Sequence, residues 1–230
     1  MEGFQNFNTT NFSPLTLANN TQAVILVTLV LDVSPSISNY AQQMNTAAEE
    51  VFLHELKGCH RKNDILVKCI TFCENVEHKS GFSPVLSVPD SYFEVRPTGG
   101  ATALYRAVKE ALESTITYRE DLENQGIDVR SCVYIITDGE DNQDRNGKDS
   151  KDVKALVAKL KTKEAWISTF TINMLGVGQD ANFRSACIDM GLNPDKCLDT
   201  ISTSAKEIRN HMGVVSQSIS SSSPNAVVQF

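Results

Sequence analysis

The chain has no apolar run long enough to cross a bilayer: the longest, AVILVTLVL from Ala23 to Leu31, is broken by Thr28 and is about half of the ~20 residues a spanning helix needs. It also lacks basic excess. Lys and Arg number 21 against 28 Asp and Glu, leaving a formal charge of −7 with no Lys/Arg block, which argues against nucleic acid and anionic membrane as partners. The opening MEGFQNFNTTNF has no basic segment followed by an apolar one, so it does not read as a secretory signal, and a soluble, cytoplasmic protein is expected.

Several chemical motifs are missing as well. No C-x-x-C occurs, and Cys69, Cys73 and Cys132 lie in apolar, strand-like runs where a thiol acts as a small hydrophobe; reduced cysteines are expected. A zinc site built from Cys59, His60, Cys69 and Cys73 is disfavoured by their spacing. HELKGCH has Gly58 where a zincin helix needs its second histidine, LGVGQDA lacks the third glycine of a dinucleotide loop, and there is no P-loop.

What is present is alternation. The β-branched runs Val24 to Leu31, Ile65 to Phe72, Val129 to Ile136 and Ile167 to Leu175 predict strands buried on both faces. Between them, Tyr40 to Lys57, Thr102 to Tyr118 and Ser150 to Lys161 carry apolar residues at helical spacing. This pattern predicts an α/β fold: a doubly wound, mostly parallel sheet with helices on both faces. The Pro-, Ser- and Gly-rich segment from Glu74 to Pro97 predicts one antiparallel edge hairpin. A short helix over Asn182 to Met190, a strand over Lys196 to Asp199 and a last helix over Ala205 to Val215 complete the expectation. Residues 1–20 read as an extension, 21–217 as the domain, and 218–230 as a Ser-rich flexible tail.

In a doubly wound sheet, loops at the carboxyl ends of the strands converge where the strand order reverses. Asp32, Ser34 and Ser36 leave the first strand in DVSPS, Thr102 follows the glycines of TGGATAL, and Asp138 ends the run IITDG. Three loops would then supply hydroxyl and carboxylate oxygens, the ligand type a hard divalent cation takes. Alternate residues of an extended turn point the same way, which would aim the D-x-S-x-S oxygens at one point. Each piece alone is an ordinary turn or helix cap, Thr102 as an N-cap included. Their joint placement, in order and after the right elements, is what points to a metal.

The order DVSPS, TGGATAL, TDG on this frame resembles the von Willebrand factor type A domain with its metal-ion-dependent adhesion site, over roughly residues 21 to 217. With its Ser-rich tail, the chain is also similar to bacterial and phage members of that family associated with tellurium-resistance and stress gene clusters. The resemblance implies that Asp32, Ser34, Ser36, Thr102 and Asp138 bind Mg²⁺, or Mn²⁺ or Ca²⁺, directly or through water. Pro35 departs from the glycine that members often carry there, which implies a stiffer loop with one amide fewer.

Neutral hydroxyls would leave such a cation undercompensated and open to an Asp or Glu of a protein partner. None of His54, His60, His78 or His211 falls in the three loops, and Glu140 and Asp141 read as solvated carboxylates, so no enzyme is expected. A metal that only ties loops together in a scaffold is the alternative, and a metal-dependent hydrolase a remoter one.

Overall fold

The computed structural model describes residues 23–178, 182–194, 197–200 and 210. Four parallel strands form its centre: β1 Ala23–Asp32, β2 Ile65–Phe72, β5 Asp128–Thr137 and β6 Phe170–Val177. The edges are β7 Cys197–Thr200, parallel to β6, and the short β3 Val76–His78 and β4 Ser83–Pro84, both antiparallel to β2. The order is β3-β2-β1-β5-β6-β7, with β4 also on β2. The chain steps outward from β1 to β2 and later returns to the other side of β1 with β5. The reversal therefore lies between β1 and β5, in register along Ala23↔Asp128 to Leu31↔Ile136.

Alternation along β1 separates two cores. Ile25, Val27, Leu29 and Leu31 face Ile37, Met44, Ala47, Phe52, Leu53 and Leu56 of the first helical stretch, which runs as α1 Ala41–Thr46, a π-helical Ala47–Leu53 and α2 His54–Gly58. Val30, with Ile70, Phe72, Val133 and Ile135, packs against α3 Leu104–Asn124 and α4 Lys148–Thr162. On the same face Thr28 and Thr115 satisfy each other across a 2.8 Å hydroxyl contact. Each Leu or Ile sealed in this way contributes about 1.5–3 kcal/mol. The doubly wound sheet is as expected.

Three local expectations are corrected. The segment 74–97 forms no hairpin of its own: β3 and β4 each pair antiparallel with β2, and the first two residues of YFEVRP end a 3₁₀ turn, Asp90–Phe93. The strand expected from Ile167 begins at Phe170, because Glu164–Ile167 is a helical turn, α5. That turn tucks Trp166 under the buried Arg119, whose guanidinium lies 4.4 Å from the indole and donates to Glu123 and Thr169. Thr102 is not a cap: α3 starts at Leu104, behind Ala103. The helix expected at Asn182 to Met190 is α6 Phe183–Asp189, with Asn182 capping it by accepting from Ser185 N at 3.0 Å. The helix expected over 205–215 lies outside the described residues, Asn210 excepted. Cys59, Cys69, Cys73, Cys132 and Cys187 are free thiols, and no described helix is long and apolar enough to cross a membrane.

One buried charge gives a stability test. Lys68 of β2 is 6 % exposed, its ammonium 5.7 Å from the Phe82 ring centroid, and burial, opposed by the charge of Glu110, pulls its pKa from 10.5 down to about 8. Between about pH 8 and 10.5 the unfolded chain keeps a proton the folded one has released, so stability rises with pH across that window. At pH 7 the buried charge costs at most about 3 kcal/mol, part of it offset by Phe82. Lys68→Met should therefore stabilise the protein by about 1–2 kcal/mol at pH 7 and by less at pH 10. Urea denaturation at both pH values checks this; an equal gain at both would locate the effect in packing rather than charge.

Candidate metal centre

Asp32 ends β1 with its side chain fully buried. One carboxylate oxygen accepts from Ser34 N at 2.8 Å, the other from Thr137 Oγ1 at 2.6 Å. Thr137 is the last residue of β5, so the two strands flanking the reversal are tied together by the carboxylate itself. Burial raises the Asp32 pKa, and the bonds from Thr137 and Ser34 oppose the rise.

The loop after Asp32 is fixed at both sides. Val33 N donates to Phe72 O at 2.8 Å, and Thr98 N to Val33 O at 2.7 Å. From Pro35 the chain turns into a 3₁₀ helix, Pro35–Asn39, anchored by the fully buried Ile37. The oxygens of D-x-S-x-S thus converge through this turn, not through the extended alternation expected from spacing. Pro35 stands at the first helical position, where a missing N–H goes unneeded. Ser34 Oγ lies 3.0 Å from Ser36 Oγ, and Ser36 Oγ donates to Asp138 Oδ1 at 2.9 Å. The half-buried Asp138 is pushed up to about 6, first by burial and then by the charge of Asp32, against the bond from Ser36.

Thr102 comes from the third side. Its segment turns at Gly99, where φ is +74° and a Cβ would meet Cys73 Sγ at 2.6 Å, so only glycine fits. Thr102 is 5 % exposed, and a Cβ placed on Gly139 would lie 3.9 Å from its Oγ1, which sets that hydroxyl against the Asp138–Gly139 turn. The hydroxyl has no hydrogen-bond partner among the described residues. Thr102 N donates to Asn142 Oδ1 at 2.8 Å and Asn142 N to Thr102 O at 3.0 Å.

All five residues singled out from the sequence therefore meet at the β1–β5 reversal. Sequence reasoning assigned no role to Thr137 and Asn142, which hold the site without being among the five. Thr137 lies inside the TDG motif, which was the available signal for it.

The donor set suits a small hard cation. Oxygens at neighbouring corners of an octahedron around Mg²⁺ lie about 2.9 Å apart when each is 2.0–2.1 Å from the ion. The Ser34–Ser36 and Ser36–Asp138 separations, 3.0 and 2.9 Å, are those of hydrogen bonds and bring the three oxygens close enough to face one small ion. Two carboxylates raised by burial, together with an unpartnered hydroxyl, form a pocket that a positive charge would relieve. Among the described residues no group of three or more His, Cys, Asp or Glu side chains is placed to hold a metal, so a softer site at Cys59, His60, Cys69 and Cys73 is not formed.

Comparison with known proteins agrees with this frame. The family model described as the von Willebrand factor type A domain matches residues 27–213. Among solved structures, proximal thread matrix protein 1 from the mussel byssus, in a form with a zinc-occupied MIDAS motif, is 18% identical with a TM-score of 0.57, covering 85% of this chain and 46% of that one. The pilus adhesin SpaC from Lactobacillus rhamnosus GG, in an open conformation, is 14% identical with a TM-score of 0.61, covering 87% and 30%. The ArnB paralog VWA2 from Sulfolobus acidocaldarius is 13% identical with a TM-score of 0.51, covering 84% and 45%. The chain thus spans less than half the length of each of these proteins. Among curated proteins none matches.

Proposed function

The chain belongs to the von Willebrand factor type A domain family, and from that premise we propose that it is a cation-dependent protein-binding module. Asp32, Ser34, Ser36, Thr102 and Asp138 would hold one divalent cation, Mg²⁺ in the first place, and a partner protein would add an Asp or Glu. When bound, the cation supplies a concentrated positive charge on an otherwise acidic molecule. The observation that carries this reading is the convergence of oxygens from three loops at the β1–β5 reversal, with only two carboxylates among the five side chains.

The protein's own groups set what the site can do. Ser34, Ser36 and Thr102 are neutral, so a third carboxylate is electrostatically welcome. Ser36 is exposed and Asp138 half-buried, which leaves that side of the cup open to an incoming group. The carboxylates that follow Asp138 in the chain are engaged: Glu140 accepts from Asn182 N at 2.7 Å, while Asp141 accepts from Tyr105, Gln143 and Asp144 amides. A base poised to activate water is what a hydrolase would need there. Their engagement supports binding over catalysis. The presence of a zinc-occupied site in the mussel protein supports a divalent cation here, and a cytoplasmic setting is part of the same proposal.

Chelator-treated protein titrated with Mn²⁺ tests the reading through water-proton relaxation. Bound Mn²⁺ should enhance relaxation because water retains access to it. Acetate, or a peptide carrying one Asp, should lower that enhancement by displacing water, whereas the same peptide with Asn should not. Bound Mn²⁺ whose relaxation is indifferent to every carboxylate would leave the ion a staple between loops and support the scaffold role.

A further inference from the structure

The segment after β5 has more assignments than the metal site uses. Asn142 is exposed and contributes nothing to the five oxygens, yet it grips Thr102 twice across 40 residues of chain. Its carboxamide oxygen accepts from Thr102 N at 2.8 Å, and its own amide donates to Thr102 O at 3.0 Å. One residue earlier, Asp141 accepts from Tyr105 N at 2.9 Å. This bond matters because α3 has no cap of its own: Ala103 stands at the N-cap and offers no side-chain acceptor. The helix that begins behind Thr102 is thus capped from the loop that carries Asp138.

We propose that Asn142 is a positioning residue, which sets the Thr102 hydroxyl against Asp138 and so makes two of the three ligand loops one rigid unit. This rests on the reading of the site as a cation centre. Without the carboxamide, Thr102 keeps its hydroxyl and Asp138 its carboxylate, but Thr102 N loses its acceptor and only the Asn142 N to Thr102 O bond is left to fix their relative place. Side chains that orient a metal's ligands without touching the ion typically contribute ten- to a hundredfold in affinity. An exposed polar residue with no such duty changes stability only slightly when replaced.

The test is a double-mutant cycle read by calorimetric titration of Mn²⁺ into chelator-treated full-length protein. Asn142→Leu, which keeps the volume and removes the acceptor, should weaken Mn²⁺ about ten- to a hundredfold. Asn142→Asp, which keeps the acceptor, should hold wild-type affinity or better. Thr102→Ala should weaken binding by itself, and adding Asn142→Leu to it should cost nothing more, since Asn142 acts only through that hydroxyl. A purely structural role would give additive losses in the cycle. Additivity, or unchanged affinity in Asn142→Leu while Thr102→Ala weakens it, overturns the inference and leaves the cation centre standing. Unchanged affinity in Thr102→Ala removes Thr102 from the centre, so the two failures are told apart. Should Asn142→Leu not fold, Asn142→Ala enters the same cycle with the same expected outcomes.

Discussion

Asp32→Asn should abolish the thermal stabilisation that Mg²⁺ is expected to give the wild-type protein, and the metal-free variant should melt no lower than metal-free wild type. The first half follows from charge. Asp32 is one of only two carboxylates at the centre, and replacing it by a neutral amide should lower divalent affinity by about a hundredfold or more, since even groups one step removed from an ion contribute ten- to a hundredfold. A cation at a hundred times its Kd stabilises the folded state by about 2.7 kcal/mol, or several degrees for a domain of this size. That increment should vanish. The second half follows from burial. Asp32 is fully buried, and its ionised form is opposed by desolvation and lies beside Asp138. Asparagine's carboxamide oxygen keeps an acceptor for Ser34 N, its amino group can donate to a rotated Thr137 hydroxyl, and the buried charge is removed. Asp32→Ala is a poorer probe, because it leaves both donors without an acceptor inside the protein. Melting curves with and without Mg²⁺ decide the matter: an undiminished Mg²⁺ response in the variant would remove Asp32 from the site.

Gly176→Ala should be the most damaging methyl that can be added to the sheet. A Cβ there would lie 2.2 Å from Cδ2 and 2.3 Å from Cγ of Phe183, atoms near the root of a buried ring that cannot swing clear. The added methyl must push α6 off β6. We expect a loss of about 3 kcal/mol or more, at the upper end of what overpacking costs. The effect should reach the metal centre. Gly176 pairs with Thr137, the donor to Asp32, and Asn182, next to Phe183, donates to Glu140 in the Asp138 loop. Chemical denaturation measures the loss, and Gly176→Ala combined with Phe183→Leu should recover part of it. A single variant within 1 kcal/mol of wild type would mean that α6 yields without cost.

The sheet was legible because its strands are long apolar runs with clear ends. Ile65 to Phe72 coincides with β2 to the residue, since Asp64 and the turn after Phe72 bound a fully buried segment. β6 was misplaced at its start for a reason local pattern cannot carry: Ile167 opens the apolar run on paper, but in space it ends a helical turn whose Trp166 stacks on Arg119 of α3. That the five residues converge at the β1–β5 reversal was legible because each follows a strand or glycine turn whose position the alternation fixes. What holds them was not. That Thr137 reaches Asp32, that Asn142 clasps Thr102 and that Asp141 caps α3 depend on which loop faces which, and no spacing along the chain expresses that. The aim of D-x-S-x-S came from a 3₁₀ turn begun by Pro35, where period-two reasoning expected an extended one.

The bonds that close the cup join residues 40, 102 and 105 positions apart. No short piece of this chain contains the site. A peptide copying DVSPS holds one carboxylate and two hydroxyls on a floppy backbone, and one copying TDGEDN holds carboxylates with no threonine hydroxyl from the α3 side. A grip on an ion would be an attribute of the finished topology, so whatever pulls β1 and β5 apart would undo the cup in the same event. A partner holding on through such an ion would thereby hold the two central strands of the sheet.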